Sequence, residues 1–170
     1  MGNPDQQLKA LAEAFRKLGF SDDQSRSSAE YQISSGAPEL ARVSFLKAAW
    51  IGVVSEENDS WIDRCLADYT RDPEGVGSGA GRALQRLLAL GASRMDLTDL
   101  VRSMQFETLF EVCSVVDNCG DVYNDPLSPK AHWHLRLGEE CPPKHEDVGG
   151  LHESVLETDP TGREMKPRPE

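Results

Sequence analysis

The residues with the greatest capacity for chemistry lie near the end of the chain, where all four histidines follow residue 131. His132 and His134 alternate within AHWHLRL, and this period of two is typical of a half-buried strand with both imidazoles on one face. Two such imidazoles can bind a divalent metal ion when a third ligand lies nearby. The candidate metal ligands are His132, His134, Cys141, His145 and His152, with Glu153 as an alternative third ligand.

The spacing of these histidines completes neither a zinc-finger pattern nor H-E-x-x-H. Solvent-facing histidines on a half-exposed strand are therefore the alternative interpretation, and no bound metal is needed to explain them. The metal-site hypothesis implies a bound divalent metal ion, and the sequence predicts no other cofactor.

A glycine-rich segment over residues 71–81, RDPEGVGSGAG, is the second candidate, because amides at a helix N-terminus can hold a phosphate. The glycines do not complete a dinucleotide-binding or Walker pattern, and the flanks of Ser78 do not form a nucleophile elbow. What is left is an anion site at Arg82 and Arg86, one helical turn apart. A flexible connector is the favoured interpretation.

Three other groups of side chains have residue types that could form a site. Asp117 begins an Asp- and Asn-rich segment, but Cys119 stands where an EF-hand needs an oxygen ligand, so a solvated turn is favoured. Glu107 and Glu111 are spaced as neighbours on a helix and are interpreted as a solvated face. Cys65 and Cys113 fall on apolar helical stripes and are predicted to be small hydrophobes. No catalytic residue is assigned.

The chain carries 18 basic and 29 acidic residues, a net charge of −11, which argues against binding to nucleic acid. The leading hypothesis is a non-enzymatic protein-binding module, an adaptor or an immunity-like neutralising partner, whose acidic surface meets a basic protein. The carboxylates predicted to contact this partner are Glu139, Glu140, Glu146, Asp147, Glu153 and Glu157.

Two alternatives stay open beside this hypothesis. The first is a metal-dependent hydrolase or metal-binding domain organised by the C-terminal histidines, so the sequence leaves open whether the protein is an enzyme. The second is a ligand pocket among helices, lined by Trp50, Phe45, Met104 and Phe110. The chain opens with no signal segment and has no apolar run near ~18 residues, so we expect a cytoplasmic protein that does not contact a membrane.

Helical periodicity dominates the chain up to about residue 118. Asn3 and Pro4 predict a first helix that ends at Gly19, and Ser21 with Gln24 forms a capping box for a second. A third helix follows Pro38, and Ser60 with Asp63 has the spacing of another capping box. Two further helices are predicted over 83–90 and from about residue 96 to residue 118.

The fold class that follows is mainly α, a compact bundle of five or six helices with a small β-hairpin or β-element near the C-terminus. The strand at 131–137 needs a partner, either a second short strand near Leu151–Leu156 or the same strand of another subunit in a homodimer. We expect a single domain over residues 1–157 and an exposed tail over 158–170, where proline and glycine are frequent.

Overall fold

The computed structural model describes residues 4–118, 135–137 and 146–166. The described residues are mainly helical, as the sequence predicts, and no helix among them is both long enough and apolar enough to cross a membrane. The helices are α1 (Pro4–Lys17), α2 (Asp22–Ser35), α3 (Glu39–Trp50), α4 (Ser60–Arg71), α5 (Ser78–Ala89), α6 (Arg94–Asp117) and α7 (Leu151–Ser154).

The first two helices begin where the sequence predicts. Pro4 opens α1, where its missing amide proton is not needed. At α2, the Ser21 side chain accepts a hydrogen bond from the Gln24 amide, and the Gln24 side chain accepts one from the Ser21 amide. Gly36 ends α2 with φ of 73°, a conformation that favours glycine. The predicted capping box is confirmed.

The chain divides into two compact units. Unit 1 comprises residues 1–50 and 109–170, and its core joins α1, α2 and α3 through the buried residues Ala12, Phe15, Ala29 and Val43. Unit 2 comprises residues 51–108, with a core of Trp61, Ile62, Leu84 and Leu97. The single domain predicted over residues 1–157 stays a prediction.

Helix α4 begins differently from the capping box that Ser60 and Asp63 suggest. Asp59 is the N-cap and its side chain makes no capping hydrogen bond, while Asn58 Oδ1 accepts the bond from the Ser60 amide. Arg94, from the start of α6, binds Asp59 at 2.5 Å and Asp63 at 2.9 Å. This hydrogen bond from Arg94 lowers the pKa of Asp59. Asp63 is therefore held by a distant arginine instead of by the helix start.

Helix α5 begins inside the segment that we favoured as a flexible connector. Gly77 adopts φ of 85°, and the Ser78 hydroxyl donates to the carbonyl oxygens of Pro73 and Gly75 at 2.9 and 2.7 Å. Gly81 lies against α4, since a Cβ atom there would be 2.2 Å from the Cys65 carbonyl oxygen. The connector between α4 and α5 is thus limited to residues 72–77, and the glycines allow a sharp turn at Gly77 and a close contact between two helices at Gly81.

The predicted β-hairpin is not supported in the form that we expected. Most of the strand at 131–137 lies outside the described residues, and its proposed partner near Leu151–Leu156 begins with helix α7 instead. The described segments contain two short strands, β1 (Arg136–Leu137) and β2 (Glu146–Asp147), which pair antiparallel within the chain. A homodimer formed through this strand stays a prediction.

The expected exposed tail begins with two buried residues, Thr158 and Asp159. Asp159 Oδ2 accepts hydrogen bonds from the Thr161 hydroxyl at 2.7 Å and from the Met165 amide at 3.0 Å. One carboxylate thus organises the turn that follows it, as Asp side chains often do. Residues 159–166 therefore form an ordered turn among the described residues.

Candidate functional site

Helix α6 presents an exposed face within unit 2 that combines apolar and acidic side chains. Asp96, Leu100, Met104 and Glu107 are spaced so that they lie on one side of the helix. Leu100 is 59% exposed and Met104 is 57% exposed, and both carboxylates are also exposed. We call these four residues the α6 face.

The basic residues of α6 are turned away from the α6 face. Arg94 binds Asp59 and Asp63, and the buried Arg102 donates from Nη1 to the Val54 carbonyl oxygen at 2.8 Å. Each of these contacts lies within unit 2. The α6 face therefore carries negative charge with no arginine or lysine of its own helix beside it.

The carboxylates predicted to bind a basic partner are only partly described. Glu153 and Glu157 are exposed, while Glu146 and Asp147 form β2. Glu139 and Glu140 lie outside the described residues. A contiguous acidic face built from these six residues stays a prediction.

The predicted anion site at Arg82 and Arg86 lies on α5, where both side chains are exposed. Exposed arginines one turn apart on a helix are common, and the Ser78 hydroxyl at the helix start donates to carbonyl oxygens of the preceding turn. The anion site stays a prediction.

Four of the five candidate metal ligands, His132, His134, Cys141 and His145, lie outside the described residues. Within the described ranges, no group of three or more His, Cys, Asp or Glu side chains could hold a metal ion. The fifth candidate, His152, makes a different contact: it pairs with a carboxylate on α6.

The residues predicted to line a ligand pocket are divided between the two units, so the pocket stays a prediction. Met104 is more than half exposed on the α6 face, and Phe45 is 36% exposed. Trp50 is buried in unit 1, where its indole N–H donates to the Val155 carbonyl oxygen and the Thr158 hydroxyl. Met104 thus belongs to the surface of unit 2, and Trp50 belongs to the core of unit 1.

Asp117 and His152 form a compact pair in unit 1. Asp117 Oδ2 accepts a hydrogen bond from the His152 backbone amide at 2.8 Å and lies 2.6 Å from His152 Nδ1. The Asp117 side chain is 5% exposed and the His152 side chain 26% exposed. The Phe110 ring meets the imidazole edge-on, with ring centroids 6.0 Å apart. The imidazole is thus held by a carboxylate on one side and a phenyl ring on the other.

Two buried polar atoms in this unit have no hydrogen-bond partner among the described residues, Asp117 Oδ1 and Arg42 Nε. Arg42 pairs with Glu39 and reaches toward α7, where its Nη1 lies 2.6 Å from the position that a Cβ atom would occupy at Gly150. Buried polar groups are nearly always hydrogen-bonded, so these two atoms are exceptions. Both atoms belong to residues in contact with the segment 150–152.

Cys113 lies one helical turn before Asp117 and is buried. Burial, and secondarily the negative charge of Asp117, raises the pKa of Cys113 from an ordinary value of 9.0 to about 11. The thiol is therefore protonated at neutral pH and is a poor nucleophile. This agrees with the interpretation of Cys113 as a small hydrophobe.

We expect the pH dependence of stability to report on Cys113. Its folded-state pKa lies above the ordinary value, so the stabilisation is complete below pH 9.0 and is lost as the pH rises through about 11. The free energy of unfolding, measured with urea, should fall across this interval by more in the parent protein than in Cys113→Ala. A Cys65→Ala variant should keep the parental fall, and an identical fall in Cys113→Ala would contradict the prediction.

Sequence reasoning missed both the α6 face and the Asp117–His152 pair. The sequence predicts that Glu107 lies on a solvated face of the helix. The spacing of apolar residues does not predict that Leu100 and Met104 beside it are exposed. Asp117 and His152 are 35 residues apart, so only the tertiary fold brings them together.

The comparisons with known proteins identify no relative. No protein-family model matches the chain, and no curated protein or solved structure matches it significantly.

Proposed function

We propose that the protein is a protein-binding module whose α6 face contacts a basic, amphipathic helix of a partner protein. The observation that carries the proposal is the exposure of Leu100 and Met104, each above one half, between Asp96 and Glu107. Large apolar side chains grouped on a surface and rimmed by charge are typical of interaction sites.

The chemistry of the α6 face selects the kind of partner. A helix that lays apolar side chains on Leu100 and Met104 would place its flanking positions near Asp96 and Glu107, where lysine or arginine is favoured. The net charge of −11 would attract such a segment over a longer range. This keeps the acidic binding module of the leading hypothesis and assigns it a surface on α6.

Fluorescence anisotropy with a synthetic amphipathic peptide tests the proposal. The peptide consists of leucine and lysine and has about 18 residues, enough for about five helical turns. We expect saturable binding that weakens as salt rises, because the charged contacts are exposed. Met104→Glu should weaken the peptide affinity by about tenfold or more, since the few residues at the centre of an interface that carry most of its binding energy each cost about 2 kcal/mol or more when truncated.

Leu90→Glu is the matched control, because Leu90 is 84% exposed at the end of α5 and the variant adds the same negative charge. Its affinity should equal or slightly exceed that of the parent protein. Equal weakening by both variants, or peptide binding that does not saturate, would overturn the assignment of the α6 face.

A further inference from the structure

The contact with Asp117 holds the His152 ring by Nδ1 and leaves Nε2 as the nitrogen that could act as a nucleophile. Its Nδ1 faces the Asp117 carboxylate, which favours the tautomer that carries the proton on Nδ1. Nε2 then carries the lone pair, and the hydrogen bonds described for His152 are made by its backbone amide and Nδ1. Backbone and ring contacts to the same oxygen, Asp117 Oδ2, fix the ring position.

We propose that Nε2 of His152 is a phosphoryl-acceptor site, modified by a high-energy donor of the phosphoramidate class. Imidazole nitrogens form covalent intermediates when a neighbouring group orients and activates them. In this step the Nε2 lone pair forms a bond to phosphorus while the bond between phosphorus and the donor nitrogen breaks. The electron pair of that bond leaves with the donor nitrogen, which is protonated before the transfer and departs as the neutral amine. Nδ1 keeps its proton, so the positive charge passes to the phosphorylated imidazole ring.

Asp117 has the role of a positioning residue in this step. The imidazole gains positive charge as the bond to phosphorus forms, and a buried carboxylate beside Nδ1 stabilises that charge. Asp117 Oδ1 accepts no hydrogen bond among the described residues, so the negative charge of the carboxylate is incompletely compensated and is available to the imidazolium.

A phosphoryl group fits the surroundings of His152 better than an acyl group does. Acyl transfer depends on paired donors that stabilise an oxyanion, whereas phosphoryl transfer depends mainly on positioning and on cations that neutralise the phosphate. Arg42 is the cation that reaches this segment, beside Gly150, and its buried Nε–H has no acceptor among the described residues. Arg42 also pairs with Glu39, whose carboxylate neutralises part of the guanidinium charge.

The first test uses the parent protein with potassium phosphoramidate as the donor. Intact-mass spectrometry should show the addition of one phosphoryl group, and fragmentation that preserves the P–N bond should locate it on His152. His132, His134 and His145 are internal references that need no mutation. Faster labelling of His152 than of these three supports the proposal, and equal labelling of all four histidines overturns it.

Two variants separate the roles of the pair. His152→Gln should lose the label at this position, while His134→Gln is the control that keeps it. Asp117→Asn should slow labelling of His152 by about tenfold, a typical effect of removing the carboxylate that orients a histidine. Nitrogen NMR of His152 should show the proton on Nδ1 in the parent protein. An unchanged labelling rate in a folded Asp117→Asn protein, judged by circular dichroism, would contradict the proposal.

Discussion

Replacing Gly81 by alanine should lower the free energy of unfolding of unit 2 by about 2–3 kcal/mol, as overpacking of a close contact does. A Cβ atom at this position would lie 2.2 Å from the Cys65 carbonyl oxygen and 2.5 Å from Tyr69 Cβ. Both are parts of α4 that cannot turn aside like the end of a flexible side chain, so α4 and α5 must separate. Urea unfolding followed by circular dichroism measures the loss.

Gly79→Ala is the matched control on the same helix. A Cβ atom there would meet nothing within 4 Å, so the substitution should raise stability by about 0.5–1 kcal/mol through helix propensity. Because both variants make the same chemical change in α5, their opposite signs isolate the contact with α4. If Gly81→Ala were as stable as Gly79→Ala, the close approach of the helices would be wrong.

Replacing Trp50 by alanine should destabilise unit 1 by about 3–5 kcal/mol, the range observed when a buried aromatic side chain is removed. Trp50 is 3% exposed, and its indole N–H lies 3.1 Å from both the Val155 carbonyl oxygen and the Thr158 hydroxyl oxygen. The variant thus loses a core side chain and the hydrogen bonds that attach residues 155–158 to α3. Hydrogen exchange should become faster at Val155 and Thr158.

Trp50→Phe separates the two contributions, because it keeps an aromatic ring and removes the N–H donor. We expect a smaller loss of about 1–2 kcal/mol, in keeping with a hydrogen bond in a buried position. Trp61→Phe, which removes the bond to Thr98 in unit 2, should leave exchange at Val155 unchanged. Equal stability of the parent protein and Trp50→Ala would contradict the packing of Trp50.

Local signals in the sequence were enough to predict α1 and α2. Pro4, the Ser21–Gln24 capping box and Gly36 act within one turn of the helix end that they mark, so their effect does not depend on the rest of the fold. The place of residues 78–81 in α5, inside the glycine-rich segment, escapes such local signals for the opposite reason. The need for glycine at residue 81 comes from Cys65 and Tyr69 on another helix, which a local pattern does not contain.

The start of the C-terminal tail shows the same difference. Proline and glycine near residue 160 predict a turn, and a turn is present, but the buried Thr158 before it accepts a hydrogen bond from Trp50, which is 108 residues away in sequence. The Asp117–His152 pair lay beyond prediction because its members are distant in sequence, although His152 itself was named as a candidate ligand. In the structure, the His152 ring contacts the Asp117 carboxylate.

The ion pairs of Arg94 with Asp59 and Asp63 bear on the order in which the parts of unit 2 fold. The N-terminal turn of α4 is fixed by a side chain 35 residues beyond Asp59. A nascent chain that has emerged only as far as residue 71 therefore contains the whole of α4 without the arginine that secures its start, and short helices are marginal alone in water. Before Arg94 emerges, α4 can already pack on α5 through Ile62 and Leu84. The ion pairs at the start of α4 and the contact with Leu97 are added when the first turn of α6 is made.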